Sequence, residues 1–325
     1  MKAKKTYSTQ EIADLAKVSK STILNWIKEG KVPEPTRNDK GWRVFSEADL
    51  KKIRAMKGTL PYITETVVIS FTNQKGGCGK TTSSINVGAY LAMQNYNVLM
   101  IDMDAQAHTT KTFIEDFFNL KWTIFNVMIA QLELKEVILP TNYGNLNLAP
   151  SNITLATVDP YLYGSADGFY RLNMSIEKLN NDADCSYDFI IIDTPPTLGL
   201  ATQNALIASD YVVIPIESSY FALEGTDDLL NTIIKIRNRA NTKLDILGAV
   251  ITLHDHQTIL ANDVKRKLEI QFGNKLFNTC IRKNVRLKEA PASGESIFTY
   301  AEKSSGAADY KSLTLEILQR LRKEA

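Results

Sequence analysis

The sequence has 325 residues, 44% of them hydrophobic and 23% charged, an ordinary globular balance that excludes a disordered chain or a collagen-like repeat. Its three cysteines, Cys78, Cys185 and Cys280, are far apart and form neither a disulfide framework nor a metal box, which suggests a reducing compartment. The net charge of +2 hides basic ends around an acidic middle: residues 1–60 hold 14 Lys and Arg against 7 Asp and Glu, residues 61–230 hold 7 against 19, and residues 231–325 hold 17 against 10. Two surfaces able to meet a polyanion are expected, or else a solvated surface of uneven charge. No apolar run approaches the roughly 20 residues that span a bilayer. The basic Met1-Lys2-Ala3-Lys4-Lys5 lacks the apolar core of a signal peptide behind it, so a cytoplasmic protein is expected.

Residues 1–60 are expected to form a small first domain. Ser8-Thr9-Gln10-Glu11 offers a cap and an acid to a helix carrying Ile12, Leu15 and Ala16. After a short turn at Val18-Ser19, Ser19 to Thr22 cap a second helix through Ile23, Leu24, Trp26 and Ile27, and Gly30 stops it. Two short helices joined by a tight turn make a helix-turn-helix. The second helix would present Lys20, Ser21, Thr22 and Asn25 near its N-terminus, where such helices meet base edges and phosphates. Arg37 to Phe45 reads as a small hairpin, and Ser46-Glu47-Ala48-Asp49-Leu50 opens a third helix reaching Met56. Trp26, Trp42 and Phe45 are expected in the core. Gly58-Thr59-Leu60-Pro61 reads as a linker. The order of helix, turn, helix, hairpin and helix resembles the winged headpiece of MerR-type regulators over residues 7–57. That resemblance implies that Lys40 and Arg43 lie on a wing beside a DNA backbone. A helical cap touching only protein is the alternative.

Residues 61–325 are expected to form the second domain. Thr66 to Phe71 is a β-branched apolar run, as in a buried parallel strand. Asn73-Gln74-Lys75-Gly76-Gly77-Cys78-Gly79-Lys80-Thr81-Thr82 follows, and then a helical pattern through Ile85, Val87, Ala89 and Leu91. Strand, glycine loop, Gly-Lys-Thr and helix is the setting of a phosphate-binding loop. The glycines let backbone N–H groups turn inward around an anion. Lys80 would reach the β- and γ-phosphates of ATP, and the Thr81 hydroxyl would ligate Mg²⁺.

The extra lysine, Lys75, opens Lys-Gly-Gly-Cys-Gly-Lys-Thr-Thr, which resembles the deviant Walker A signature of the ParA/MinD family of ATPases. Asn97 to Gln106, with Asp102-Met103-Asp104-Ala105-Gln106, is similar to the family's second strand and its Asp-x-Asp-x-Gln motif. Tyr187 to Gly199, with Asp193-Thr194-Pro195-Pro196, is similar to its Walker B strand. Asp210 to Glu217 and Asn284 to Pro291 resemble its next core strand and its adenine-side loop. The likeness covers nearly all of residues 65–325. It implies an α/β fold, a parallel-sheet P-loop NTPase of the deviant Walker A type, preceded here by the winged helix-turn-helix domain.

The same resemblance implies roles. Lys75 to Thr82 bind nucleotide, with Thr252 and Pro291 on the adenine side. Asp193 is the Walker B acid, holding Mg²⁺ through water, and Asp102 either lies on the Mg²⁺ side or supports the groups around the metal. Asp104 orients or activates the attacking water. Lys75 crosses to the other subunit's phosphates in a sandwich homodimer, stabilising transition-state charge as an arginine finger does. Where the family carries Ile-Pro-Arg, this chain has Cys280-Ile281-Arg282-Lys283 and no proline. Lys265-Arg266-Lys267 and Arg282-Lys283 are candidates for nonspecific DNA binding, which depends on phosphate charge; a solvated helix face is the alternative.

The function these features imply is that of a ParA-type DNA-partition ATPase, cytoplasmic and nucleoid-associated. It would bind DNA both nonspecifically and at an operator, repress its own operon and work with a ParB-like centromere-binding protein. A MinD-like membrane-cycling ATPase would need a membrane-seeking C-terminal helix; stable membrane association is not expected. An iron–sulfur reductase would need bridging cysteines, and a nucleotide-responsive transcription regulator remains a further reading.

Overall fold

The computed structural model describes residues 6–16, 18–56, 63–182, 185–219 and 225–324. Two compact units emerge, Met1–Thr64 together with Ile317–Ala325, and Glu65–Glu316. The residues expected as a linker, Gly58 to Pro61, lie outside the described residues.

In the first unit the order is β1 (Thr6–Tyr7), α1 (Thr9–Ala16), α2 (Lys20–Lys28), β2 (Thr36–Arg37), β3 (Arg43–Ser46) and α3 (Glu47–Met56). Side-chain caps fix where the helices begin. The Ser8 N–H donates to Glu11 Oε2 at 2.7 Å while the Glu11 N–H donates to Ser8 Oγ at 3.3 Å, a reciprocal capping box. Ser19 Oγ accepts from the Thr22 N–H at 3.1 Å, and Ser46 with Asp49 repeats the box at α3. The three strands pair antiparallel in the order β1-β3-β2. Ile12, Ile23, Phe45, Leu50 and Ile53 are wholly enclosed between helices and sheet, each such burial worth roughly 1.5–3 kcal/mol.

Trp42 is not in this core, contrary to expectation: it is 69% exposed. The Asn38 side chain explains why. Its Oδ1 accepts from the Lys40 and Trp42 N–H groups at 3.1 and 3.0 Å, closing a tight loop whose Gly41 has φ +74°. The indole therefore projects from the hairpin tip. Phe45, deeper in β3, is buried as expected, and Trp26 packs half-buried against the cluster.

The second unit is built on an eight-stranded sheet. Its strands are β4 (Val67–Phe71), β5 (Val98–Asp102), β6 (Leu139–Pro140), β7 (Leu146–Ala149), β8 (Phe189–Asp193), β9 (Tyr211–Glu217), β10 (Asp245–His254) and β11 (Leu276–Arg282). Their order is β11-β10-β9-β4-β8-β5-β7-β6, and every pairing is parallel except β6 with β7. The connecting helices are α4 (Lys80–Met93), α5 (His108–Phe113), α6 (Ile124–Met128), α7 (Leu134–Val137), α8 (Asp159–Tyr163), α9 (Arg171–Asn180), α10 (Leu200–Ile207), α11 (Thr226–Arg239), α12 (Ile259–Phe272), α13 (Arg286–Glu289), α14 (Ile297–Tyr300) and α15 (Ser305–Glu324).

β5 and β8 are buried along their whole length, as unbroken apolar strands covered on both faces must be. β8 lies between β4 and β5, and the register pairs Asp193 with Phe71 on one side and with Asp102 on the other. Three chain segments thus leave the sheet at one level, at its carboxyl edge, where open α/β sheets bind their ligands. The far edge is closed by acids. Glu316 of α15 accepts from the Asn278 and Thr279 N–H groups of β11 at 2.9 and 3.1 Å, and Asp309 accepts from the Arg282 N–H at 2.9 Å. These carboxylates occupy donors that an open edge strand would leave for another chain.

Candidate active site

The loop between β4 and α4 is shaped from below by side chains. Asn73 Nδ2 donates to the Pro215 carbonyl at 2.8 Å, and Asn73 Oδ1 accepts from the Lys75 N–H at 3.1 Å. Thr252 Oγ1, from β10, donates to the Cys78 carbonyl at 2.7 Å. Cys78 is enclosed, and burial pushes its thiol pKa up. Gly77 and Gly79 have φ of +74° and +88°, the left-handed region that favours glycine. A Cβ at Gly79 would meet Thr252 at an ordinary contact distance of 3.5 Å, and nothing lies within 4 Å of the position a Cβ would take at Gly76 or Gly77, so the backbone angle and not space is what constrains the loop glycines. The concave side of the loop is open, and the N-terminus of α4 points into it. Lys80 is buried, and its Nζ donates to the Lys75 carbonyl at 2.9 Å, so the ammonium closes the loop upon itself. Loop, helix dipole and lysine together make an anion site.

Two carboxylates end wholly buried at the adjacent strand edges. Asp193 Oδ2 accepts from Thr109 Oγ1 at 2.8 Å, while Oδ1 is buried with no hydrogen-bond partner. Burial raises its pKa to about 6, against the pull of Thr109, the Thr81 hydroxyl and the Lys80 ammonium. A buried carboxylate oxygen left without a donor, beside a threonine hydroxyl, fits a hydrated divalent cation. Thr81 and Asp193 would hold Mg²⁺ there.

Asp102 does something else. One oxygen accepts from the Thr110 N–H and hydroxyl at 2.9 and 2.7 Å, the other from the Asp104 N–H at 3.1 Å. Burial first, and the Asp193 charge second, push its pKa to about 8. These bonds make the side chain a clasp that ties the end of β5 to α5, the supporting one of the two places expected for it. Asp104, next along, is half-buried; its Oδ1 accepts from the Gln106 N–H at 2.9 Å. Ala107, at φ +55°, then turns the chain into α5. Thr109 and Thr110, which position both buried acids, were not singled out from the sequence, although they follow the Asp-x-Asp-x-Gln motif directly.

Lys75 does not lie over its own loop. Its Nζ meets Glu217 Oε2 at 2.7 Å and Ser219 Oγ at 2.8 Å, just beyond β9, and both partners are partly exposed. Thr82 is half-buried; its carbonyl accepts from Asn86 Nδ2 at 2.7 Å, and Asn86 Oδ1 in turn accepts from the Ile297 N–H at 2.8 Å. Pro291 sits in a 3₁₀ turn, Ala290–Ser293, behind α13.

The DNA candidates fall into separate groups. Lys20, Ser21 and Asn25 are exposed on α2, while Thr22 Oγ1 is 2.7 Å from Ser19 Oγ in the cap. Lys40 is exposed on the hairpin, and Arg43 Nε donates to Glu34 at 3.0 Å. In the second unit, Arg266, Lys267 and Lys283 are exposed and Lys265 is half-buried. Arg282 is exposed as well, and its guanidinium pairs with Asp309, with Nη2 to Oδ1 at 2.6 Å and Nε to Oδ2 at 3.0 Å.

Comparison with known proteins agrees with this geometry. The family described as "AAA domain" matches residues 66–246, and "MerR HTH family regulatory protein" matches residues 7–60. The sporulation initiation inhibitor protein Soj of Bacillus subtilis is 38% identical over 77% of this chain and 97% of its own length. Among solved structures, a cobyrinic acid a,c-diamide synthase from Mycobacterium smegmatis, with bound ADP and magnesium, is 30% identical with a TM-score of 0.70, covering 80% of this chain and 97% of that one. A plasmid partition protein from Borrelia burgdorferi bound to AMPPNP is 26% identical with a TM-score of 0.66, covering 80% of this chain and all of that one.

Proposed function

Because the chain belongs to the ParA/Soj family of P-loop ATPases, which use ATP and Mg²⁺, we propose that it is a partition ATPase that carries its own operator-binding headpiece. Hydrolysis of ATP switches it between a dimer that holds nonspecific DNA and a monomer that does not. A ParB-like centromere-binding protein stimulates that switch, and the headpiece represses the operon.

The observation that carries this reading is the meeting of the Lys80 loop with the unpartnered oxygen of Asp193 at one sheet edge. In the proposed mechanism Lys80 and the α4 N-terminus hold the phosphates of ATP, and Thr81 and Asp193 hold Mg²⁺. Asp104, fixed by the Asp102 clasp, orients the attacking water. Positioning and charge supply most of the catalysis in phosphoryl transfer. Lys75 leaves Glu217 and Ser219 and reaches the phosphates bound by the partner subunit. Lys20, Ser21, Thr22 and Asn25 face the operator, with Lys40, Trp42 and Arg43 on the wing beside them. Lys265, Arg266, Lys267, Arg282 and Lys283 supply the nonspecific surface.

The test is ATP hydrolysis measured alone, with nonspecific DNA, and with the product of the neighbouring downstream gene as well. The reading expects stimulation by DNA and partner together. A rate indifferent to both would leave an ATPase without a partition role.

A further inference from the structure

The outward face of α12 carries a pattern that these roles use only in part, through its basic residues. The helix turns Ala261, Val264, Leu268 and Phe272 into the core, yet leaves Ile259 82% and Ile270 86% exposed. At 3.6 residues per turn, Ile259, Asp263, Arg266 and Ile270 fall within about 60° of one another, opposite the buried residues. They form one stripe about 16 Å long. Asp263 and Arg266 are exposed and only loosely paired, at 3.8 Å, an arrangement that contributes little within one chain.

Along the stripe the order is apolar, acid, base, apolar. A two-fold axis between Val264 and Lys265 exchanges residue 259 with 270 and residue 263 with 266. An antiparallel copy therefore sets Ile259 against Ile270 and Asp263 against Arg266, each pair occurring twice. Lys267 falls opposite Asn262, so no like charges face each other. This self-complementarity is what an isologous contact requires. The charges also fix direction, because a parallel copy would set acid on acid and base on base.

We propose that α12 is a self-docking face, through which a second copy of this chain binds antiparallel without nucleotide. It goes beyond the ATP-driven dimer and does not involve Lys75, the residue proposed to cross that dimer's interface, although it shares α12 with the proposed nonspecific DNA surface. One helix pair covers far less than the ~800 Å² per partner of a standard interface, so the contact is weak and depends on concentration. A DNA backbone would be repelled by Asp263 and has no use for two bare isoleucines, which is why a protein copy is the better occupant.

Sedimentation velocity of the full chain without nucleotide, over rising concentration, tests this. Asp263→Arg and Arg266→Asp should each weaken self-association about tenfold, since each reversal sets two like-charge pairs across the axis. The double exchange Asp263→Arg with Arg266→Asp should restore it, and Ile270→Glu should abolish it. All of these side chains are exposed, so an unchanged thermal midpoint will confirm the fold of every variant. Single reversals without effect, or a double exchange that fails to restore association, would overturn the proposal. It is equally overturned if the wild-type chain stays monomeric while DNA retention falls with Arg266→Asp and rises with Asp263→Arg; the face then serves DNA.

Discussion

Lys80 stands at the point where the loop's shape and its charge meet. Its ammonium is buried and bonded to the Lys75 carbonyl, a neutral acceptor that a phosphate readily replaces. Lys80→Ala should weaken ATP binding roughly a hundredfold, the loss of more than one charge-assisted hydrogen bond, with calorimetry as the measure. Asp104 is different, because its proposed role is to orient water and not to hold ATP. Asp104→Ala should keep nucleotide affinity and lower turnover by about 10²–10⁴. Weakened ATP·Mg²⁺ binding in that variant would move Asp104 to the metal. Asp102 gives a third prediction, in nucleotide-free protein. Its folded pKa, about 8, lies above the ordinary carboxylate value. Its protonated form therefore stabilises the fold at low pH, and that contribution is lost as pH rises through about 8. The melting temperature should fall as pH rises from about 4 to about 8 and level off above that, and Asp102→Asn should flatten the fall. An equal slope in the variant would assign the titration to another group.

Elements divide into those whose pattern is local and those whose partners are distant. The helix-turn-helix, the phosphate loop and the buried strands were legible because caps, glycines and apolar runs lie next to the structure they create. The clasp of Asp102 on Thr110 was legible only in part, since the motif marks the acid but not its partner. The ion-pair partner of Arg282 could not be read at all: Asp309, whose carboxylate meets its guanidinium, sits 27 residues away on α15. Trp42 misled for a related reason. An indole suggests burial, but Asn38 ties the hairpin tip so that position 42 faces solvent. The exposed Trp42 at the hairpin tip makes the wing the place to test the proposed operator contact. Trp42→Ala and Lys20→Ala should each weaken operator binding while ATP hydrolysis stays unchanged, and Lys20→Ala should reduce the salt slope by about one. Gel-shift titrations at several salt concentrations check this; equal loss of hydrolysis would mean that the headpiece also serves the ATP site.

At the scale of the molecule, an ATP site is joined in the proposed mechanism to a change of partners. Lys75 is the residue that makes the join. In the single chain it is bound to Glu217 and Ser219, outside its own phosphate loop, and the proposal sends it to the other subunit. No contact within one chain can show such a crossing, but two inactive variants can. Lys75→Ala lacks the travelling lysine and keeps Asp104; Asp104→Ala lacks the water-orienting acid and keeps Lys75. The decisive measurement is phosphate release from an equal mixture of the two. If Lys75 acts across the interface, each mixed dimer contains one complete site, and the mixture should recover about a quarter of the wild-type rate from random pairing of subunits. If the mixture is as inactive as its components, Lys75 serves its own subunit and the account of an ATP-driven dimer switch is wrong.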